Sequence, residues 1–351
     1  MEKLKNNKIL MVIIAVVIIV LIAVFAFIGY SKSLDKAFDP EKKDTQYVEI
    51  VPGSTTVDIG NTLEEKGIIE SASKFKTYTK LKRTGSLYQA GTYGFSPSMK
   101  LSEIAQTLID GKTSQMTFTV PEGYTIYQIG EKLAADGVVD LDKFNDLLVN
   151  GDFDYDFLKG AQSGSNHLEG YLFPETYVVE FGASEETIIN TMLGQFDKVL
   201  TDEMRKDIKK SGHTLNEIMA IASIVEREAK VDNERGKVSS VIYNRLKIDM
   251  PLQMCSTVQY VLGEQKEILT YADTEIESPY NTYVNPGLPP GPICCPGEEA
   301  IKAAIYPDDT DYLYFVVSEK LDGTQNFSSD IEKFEKDKAA YYDALEGKSG
   351  K

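Results

Sequence analysis

Apolar positions along the chain fall into three regimes. From Ile9 to Tyr30 they are unbroken: ILMVIIAVVIIVLIAVFAFIGY carries no charge. At about 1.5 Å per helical residue the run is roughly 30 Å long, the thickness of a bilayer's hydrocarbon, and it predicts a transmembrane helix over residues 9–30. Lys3, Lys5 and Lys8 precede it. They place the tail, residues 1–8, in the cytoplasm and the body beyond the membrane. A cleaved signal peptide has a shorter apolar core and a small-x-small cleavage site, and this segment has neither. Residues 31–46 (SKSLDKAFDPEKKDTQ) are charged and turn-prone, so they read as a linker.

In the second regime alternation gives way to helical periodicity, twice. YVEIV (Tyr47–Val51) and MTFTV (Met116–Val120) read as strands. Each precedes a turn, an amphipathic helix and a helix-ending glycine: GSTTVDIGNTLEEKGII (Gly53–Ile69) and GYTIYQIGEKLAADGVV (Gly123–Val139). The two align at a fixed offset of 70, through Gly53/Gly123, Thr55/Thr125, Ile59/Ile129, Gly60/Gly130, Leu63/Leu133 and Gly67/Gly137. A first unit is therefore expected at 47–115, closed by a strand, a turn and a Ser102-started helix, and a second at 116–160. This strand, P-G-x-T turn and helix resembles the LysM type of glycan-binding module; a plain scaffold is the other reading.

The third regime, 161–346, mixes helices and short strands without βαβ alternation, so the fold class is α+β. Thr214 and Glu217 form a T-x-x-E capping box. SPYNTYVNPGLPPGPICCPG (Ser278–Gly297) reads as a long loop, Glu298–Tyr306 as a helix, Tyr312–Glu319 as a strand turned back by LDGT, and Lys333–Leu345 as a last helix.

Charge and composition narrow the chemistry. A net charge of −17 argues against a nucleic-acid partner. Two histidines and three cysteines are too few and too badly spaced for a zinc or iron–sulfur site, so no metal or cofactor is expected. Cys294-Cys295 lacks the C-x-x-C spacing of a zinc deaminase, and no G-x-S-x-G elbow supports a serine hydrolase. Cys255 and Cys294 could bridge and leave Cys295 over, or all three could be reduced and apolar in role.

The helix after the capping box ends its apolar run in acids: IMAIASIVEREAK, Ile218–Lys230. On a wheel, Glu226 and Glu228 border the buried stripe on opposite sides, and periodicity does not choose between them. Either could be an ordinary border residue paired with Arg227 or Arg235. A carboxyl among apolar side chains loses hydration of its charged form, holds a proton near neutral pH and can give it to a poor leaving oxygen.

Five blocks in order, LEGYLFPETY, IASIVEREA, SVIYNRLKIDMPLQ, SPYNTYVNPGLPPGPICCPG and TDYLYFVVSE, closely resemble the endolytic murein transglycosylases of the MltG or YceG-like type. The likeness runs from about His167 to Phe334 and includes the N-terminal anchor. It implies cleavage of peptidoglycan strands between N-acetylmuramic acid and N-acetylglucosamine, leaving 1,6-anhydro ends. It implies that Glu226 is the single catalytic acid and then base. Glu169, Tyr171, Glu175, Tyr177, Asn244, Gln253, Tyr280, Asn281, Thr282 and Tyr283 are the expected substrate-binding walls, with Glu169 nearest the developing positive charge. Packing or loop closure is the plainer role for each. With no Trp in the chain, Tyr must supply sugar stacking.

The implied partners are glycan strands, the membrane and cell-wall synthases, and the implied location is the outer face of the cell membrane. The alternatives are a non-catalytic tethered scaffold, or a water-using muramidase with Glu169 or Glu175 as second carboxylate. The chain departs from many relatives at Gln325-Asn326, where they carry a His, and at Met254-Cys255-Ser256, where they carry an Asp. No role is assigned at either place.

Overall fold

The computed structural model describes residues 2–162, 164–266 and 268–349. The chain forms two compact units, one of residues 1–116 with 178–182 and the other of 117–177 with 183–351.

The first unit begins with α1 (Glu2–Leu34), which takes in the expected span and all of the short tail except Met1, which lies outside the described residues. Leu10–Leu34 is long and apolar enough to cross a membrane. Its last residue, Leu34, is buried in the unit's own core. Then follow β1 (Gln46–Ile50), α2 (Thr56–Glu65), α3 (Ala72–Lys82), β2 (Gly91–Phe95) and α4 (Leu101–Asp110). β1 and β2 pair antiparallel, Gln46 opposite Phe95 and Ile50 opposite Gly91. Val48, Ile50, Leu63, Phe75, Tyr93 and Ile104 fill the core beneath them. α4 starts one residue before the expected Ser102, whose N–H is accepted by Asp35 Oδ1 at 2.8 Å, an acidic group at a helix N-terminus.

The chain passes to the second unit in β3 (Gln115–Thr119) and β4 (Thr176–Glu180), which form a two-stranded sheet. Between them lie α5 (Ile126–Ala135) and α6 (Leu141–Asn150). The repeated glycines explain the shared pattern: a Cβ on Gly60 would lie 3.3 Å from Ala72, and one on Gly130 2.9 Å from the Phe144 ring. In each copy the missing side chain lets one helix lie close on the next. The second copy's helix is thus built into the larger body.

After β4 come α7 (Glu185–Val199), α8 (Asp202–Ser211), α9 (Leu215–Glu228), α10 (Arg235–Lys247), α11 (Cys255–Leu262), α12 (Tyr271–Thr274) and α13 (Glu298–Ile305). The hairpin β5 (Tyr314–Val317) and β6 (Gln325–Ser328) and the helix α14 (Ile331–Ser349) complete it. α9 is the hub. Every residue from Ile218 to Val225 is buried, because α10, α11 and α13 pack around it. A helix apolar all round belongs in such a place. Each large aliphatic there contributes about 1.5–3 kcal/mol by burial. The capping box holds its start, with Thr214 N–H donating to Glu217 Oε2 at 2.7 Å. The three cysteines are free, Cys255 exposed and the other two buried.

Candidate active site

Beyond its buried run α9 returns to the surface at its last turn, and there its two acids part. Glu226 Oε2 accepts the backbone N–H of Gly297 at 3.1 Å. Gly297 is the N-cap of α13, so that helix presents its positive end to the carboxylate. Oε1 lies 4.0 Å from Arg235 Nη2, too far for a firm ion pair, and Arg235 is engaged by Asp232 through Nη1. Arg227 is committed elsewhere, donating from Nη1 to Gly123 O at 3.0 Å. Glu228 accepts the Ser256 N–H at the start of α11 (2.9 Å) instead. The ambiguity of the wheel is therefore resolved in space: one acid anchors α11, and the other opens on a cleft.

That cleft has a volume of about 720 Å³. Glu226 and Arg227 line one side of it. The turn from β3 to α5 contributes Glu122, Gly123 and Tyr124, and α5 itself contributes Gln128, Glu131 and Lys132. Gln265 completes the lining. Only 9% of the Glu226 side chain is exposed, and this burial pushes its carboxyl above the ordinary value. The Gly297 N–H works against the shift, the negative charge of Glu122 adds to it, Arg235 opposes it and Asp232 adds to it.

Most of the other expected wall residues make contacts within the fold. Glu169 is wholly buried; Oε1 accepts the Ile126 N–H that begins α5 (3.2 Å), and Oε2 accepts the Tyr260 hydroxyl (3.3 Å). Burial pushes its carboxyl up to about 8. It stands behind the cleft wall rather than in it. Tyr171 is buried against Phe157 and Phe196, and Tyr177 is buried with its hydroxyl donating to Phe173 O at 2.5 Å. Glu175 is exposed at the start of β4 and does not line the cleft.

Asn244 donates to Thr310 O (2.9 Å) and Tyr312 O (3.0 Å), and the buried Asn281 donates to Thr274 O (3.0 Å) and Ile276 O (2.8 Å). Thr282 Oγ1, also buried, accepts the Met254 N–H at 3.0 Å. The Tyr280 hydroxyl bonds Gln162, and that of Tyr283 contacts Cys255 Sγ at 3.2 Å. Gln253 is exposed with φ +48° and does not line the cleft. Gln325 donates from Nε2 to Glu228 O at 3.0 Å, and Asn326 to Glu319 at 3.1 Å. Of the residues singled out from sequence, Glu226 alone meets the cleft.

Glu122, Tyr124 and Gln128 are the neighbours that sequence reasoning did not choose, and Arg235 was considered only as an ion-pair partner. The available signal was the turn V-P-E-G-Y-T of the second copy. Gly123 within it adopts φ +75°, and a Cβ there would lie 3.8 Å from Glu226 Cγ. Room exists, but the backbone conformation strains any other residue. We expect Gly123→Ala to lower stability by about 1–2 kcal/mol and to slow turnover several-fold by shifting the turn. Denaturant midpoints and initial rates measure both, and wild-type values in each would contradict this account of the turn.

Residues 48–340 match the model of the YceG-like family. The chain is 35% identical over 331 residues to the endolytic murein transglycosylase of Bacillus subtilis (strain 168), covering 89% of each protein. It is 34% identical over 325 residues to the endolytic murein transglycosylase of Streptococcus pneumoniae serotype 2 (strain D39 / NCTC 7466), covering 84% of this chain and 59% of that protein. A 2.6 Å crystal structure of a yceG-like protein from Listeria monocytogenes superposes with a TM-score of 0.56 at 35% identity, over 84% of this chain and 99% of that one.

Proposed function

This chain belongs to the YceG-like family, and from that premise we propose that it is a membrane-anchored endolytic lytic transglycosylase acting on peptidoglycan strands. α1 is the single anchor, its N-terminus cytoplasmic and the chain that follows it on the outer side. Glu226 is the acid and then the base. It protonates the glycosidic oxygen as the bond from that oxygen to the muramic anomeric carbon breaks. The muramic 6-hydroxyl then bonds to that carbon and returns its proton to Glu226. The products are a free 4-hydroxyl and a 1,6-anhydro end, and no water is consumed. Between the steps the carboxylate is held by the Gly297 N–H, with Arg235 nearby.

The observation that supports this reading is a nearly dry carboxyl, raised by burial, opening on a cleft with a Tyr and several amide and charged groups along it. A water-using muramidase needs a second carboxylate to activate water or attack the sugar. Glu169 and Glu175, the carboxylates considered for that task from sequence, do not line the cleft, whereas Glu122 and Glu131 do, so the choice of lytic over hydrolytic chemistry rests on the relatives named endolytic murein transglycosylases. The first unit, two helices between paired strands, we read as a LysM-like glycan holder, and cell-wall synthases as the partners that make the strands. Digestion in heavy-oxygen water tests the reaction type. Transglycosylation leaves the new ends unlabelled, whereas one heavy oxygen per cut would show hydrolysis.

A further inference from the structure

The two repeat copies differ by one residue where the second meets the cleft. In the first, Val51-Pro52-Gly53-Ser54 joins the end of β1 to Thr55, the N-cap of α2. In the second, Val120-Pro121-Glu122-Gly123-Tyr124 joins the end of β3 to Thr125, the N-cap of α5. The common frame survives. Both glycines have positive φ, +86° and +75°, and both N-cap threonines make a capping box. The extra residue is Glu122, and it emerges on the cleft beside Glu226.

Gly297 shows how closely the two acids are brought together. Its backbone, φ −74° and ψ 170°, is open to any residue, so conformational freedom does not explain the glycine. A Cβ there would fall 2.0 Å from Glu122 Oε1 and 2.4 Å from its Cδ, so any side chain would displace that carboxylate from its place. Glu122 thus rests against Gly297 Cα while Glu226 accepts the same residue's N–H. Among the described residues Glu122 makes no ion pair or hydrogen bond. An unpaired carboxylate beside another destabilises the fold, and such pairs gather where proton chemistry needs them.

We propose that Glu122 is a positioning residue for the proton of Glu226, its negative charge across Gly297 keeping the acid loaded until a glycosidic oxygen takes the proton. The proposal rests on the reading of Glu226 as general acid. The other charged groups around Glu226 are Arg227 on its own helix, Asp232 and Arg235 beyond it, and Glu131 and Lys132 on α5; the Cys294 thiol is buried nearby. Lys132 is paired with Asp136 at 2.5 Å, and Glu122 is the acid that meets the shared glycine.

The test is kcat/KM against pH for the full-length protein in detergent on peptide-free glycan strands, comparing wild type, Glu122→Gln, Glu122→Asp and Glu226→Gln. An acid must be protonated to act, so activity falls as pH rises through its titration. Removing the neighbouring charge moves that alkaline limb to lower pH, by about half a unit or more for one unit charge at this range in a partly wet site. On the limb this is about a threefold loss beyond any change that is the same at every pH. Glu122→Asp, which keeps the charge, should follow wild type. A Glu122→Gln limb in the wild-type position, or a loss of the same size at every pH, overturns the proposal. Wild-type activity in Glu226→Gln would instead sink the underlying assignment of the acid, so the two failures are told apart.

Discussion

Glu226→Gln is expected to lower kcat on glycan strands by about a thousandfold or more, with strand binding changed by no more than a few-fold. The glycosidic oxygen leaves poorly unless protonated, and a positioned acid contributes about 10²–10⁴ in rate. Here the same group also receives the 6-hydroxyl proton, so both halves of the reaction lose it. An amide keeps the shape and can still accept the Gly297 N–H through its oxygen, which separates chemistry from folding. Initial rates and equilibrium binding on the same strands measure the two effects. A loss below tenfold would remove Glu226 from the centre of the mechanism.

The largest effect on stability is expected at Glu169. Its carboxyl titrates near 8 in the folded chain, because burial penalises the charge more than the Ile126 N–H and the Tyr260 hydroxyl relieve it. In the unfolded chain it titrates near 4.5, the ordinary value for a glutamate. Below pH 4.5 both states are protonated and nothing is lost. Between 4.5 and 8 the unfolded state has released the proton and the folded state has not, so stability falls as pH rises. Above 8 the loss is complete, on the order of 5 kcal/mol at most.

Glu169→Gln imitates the protonated acid: its oxygen accepts the Ile126 N–H, and the Tyr260 hydroxyl, which donates to Oε2 in the wild type, turns to accept from the amide. We expect the wild-type stability curve to drop across this window and the variant's to be flatter, the variant being the more stable at pH 8. Denaturant titration followed by circular dichroism at pH 5 and pH 8 compares them. Parallel curves would mean that Glu169 does not carry the buried proton.

Much of the organisation could be read from residues. The uncharged run predicted α1, the offset of 70 predicted two matching strand–turn–helix units, and the T-x-x-E box predicted the start of α9. Glu226 was singled out because an acid ends an apolar run inside a recognisable block. The residues expected to wall the cleft lie outside its lining for a physical reason. Amides, hydroxyls and tyrosines that suit a sugar equally suit a buried loop whose backbone groups need partners, and Asn244, Asn281, Thr282 and Tyr177 serve that second need. Glu122 was invisible to periodicity, since one exposed acid in a turn belongs to no pattern. Only comparison of the two copies, and the room left at Gly297, single it out. That the second copy's helix shares a body with α9 depends on long-range packing that no local pattern encodes.

The measurement that bears most directly on this account is mass spectrometry of the ends made on purified uncrosslinked strands by the full-length protein beside Glu226→Gln. The account predicts anhydro ends, one water lighter than reducing ends, accumulating with wild type and absent with the variant. Equal accumulation of cut strands in both reactions would contradict it.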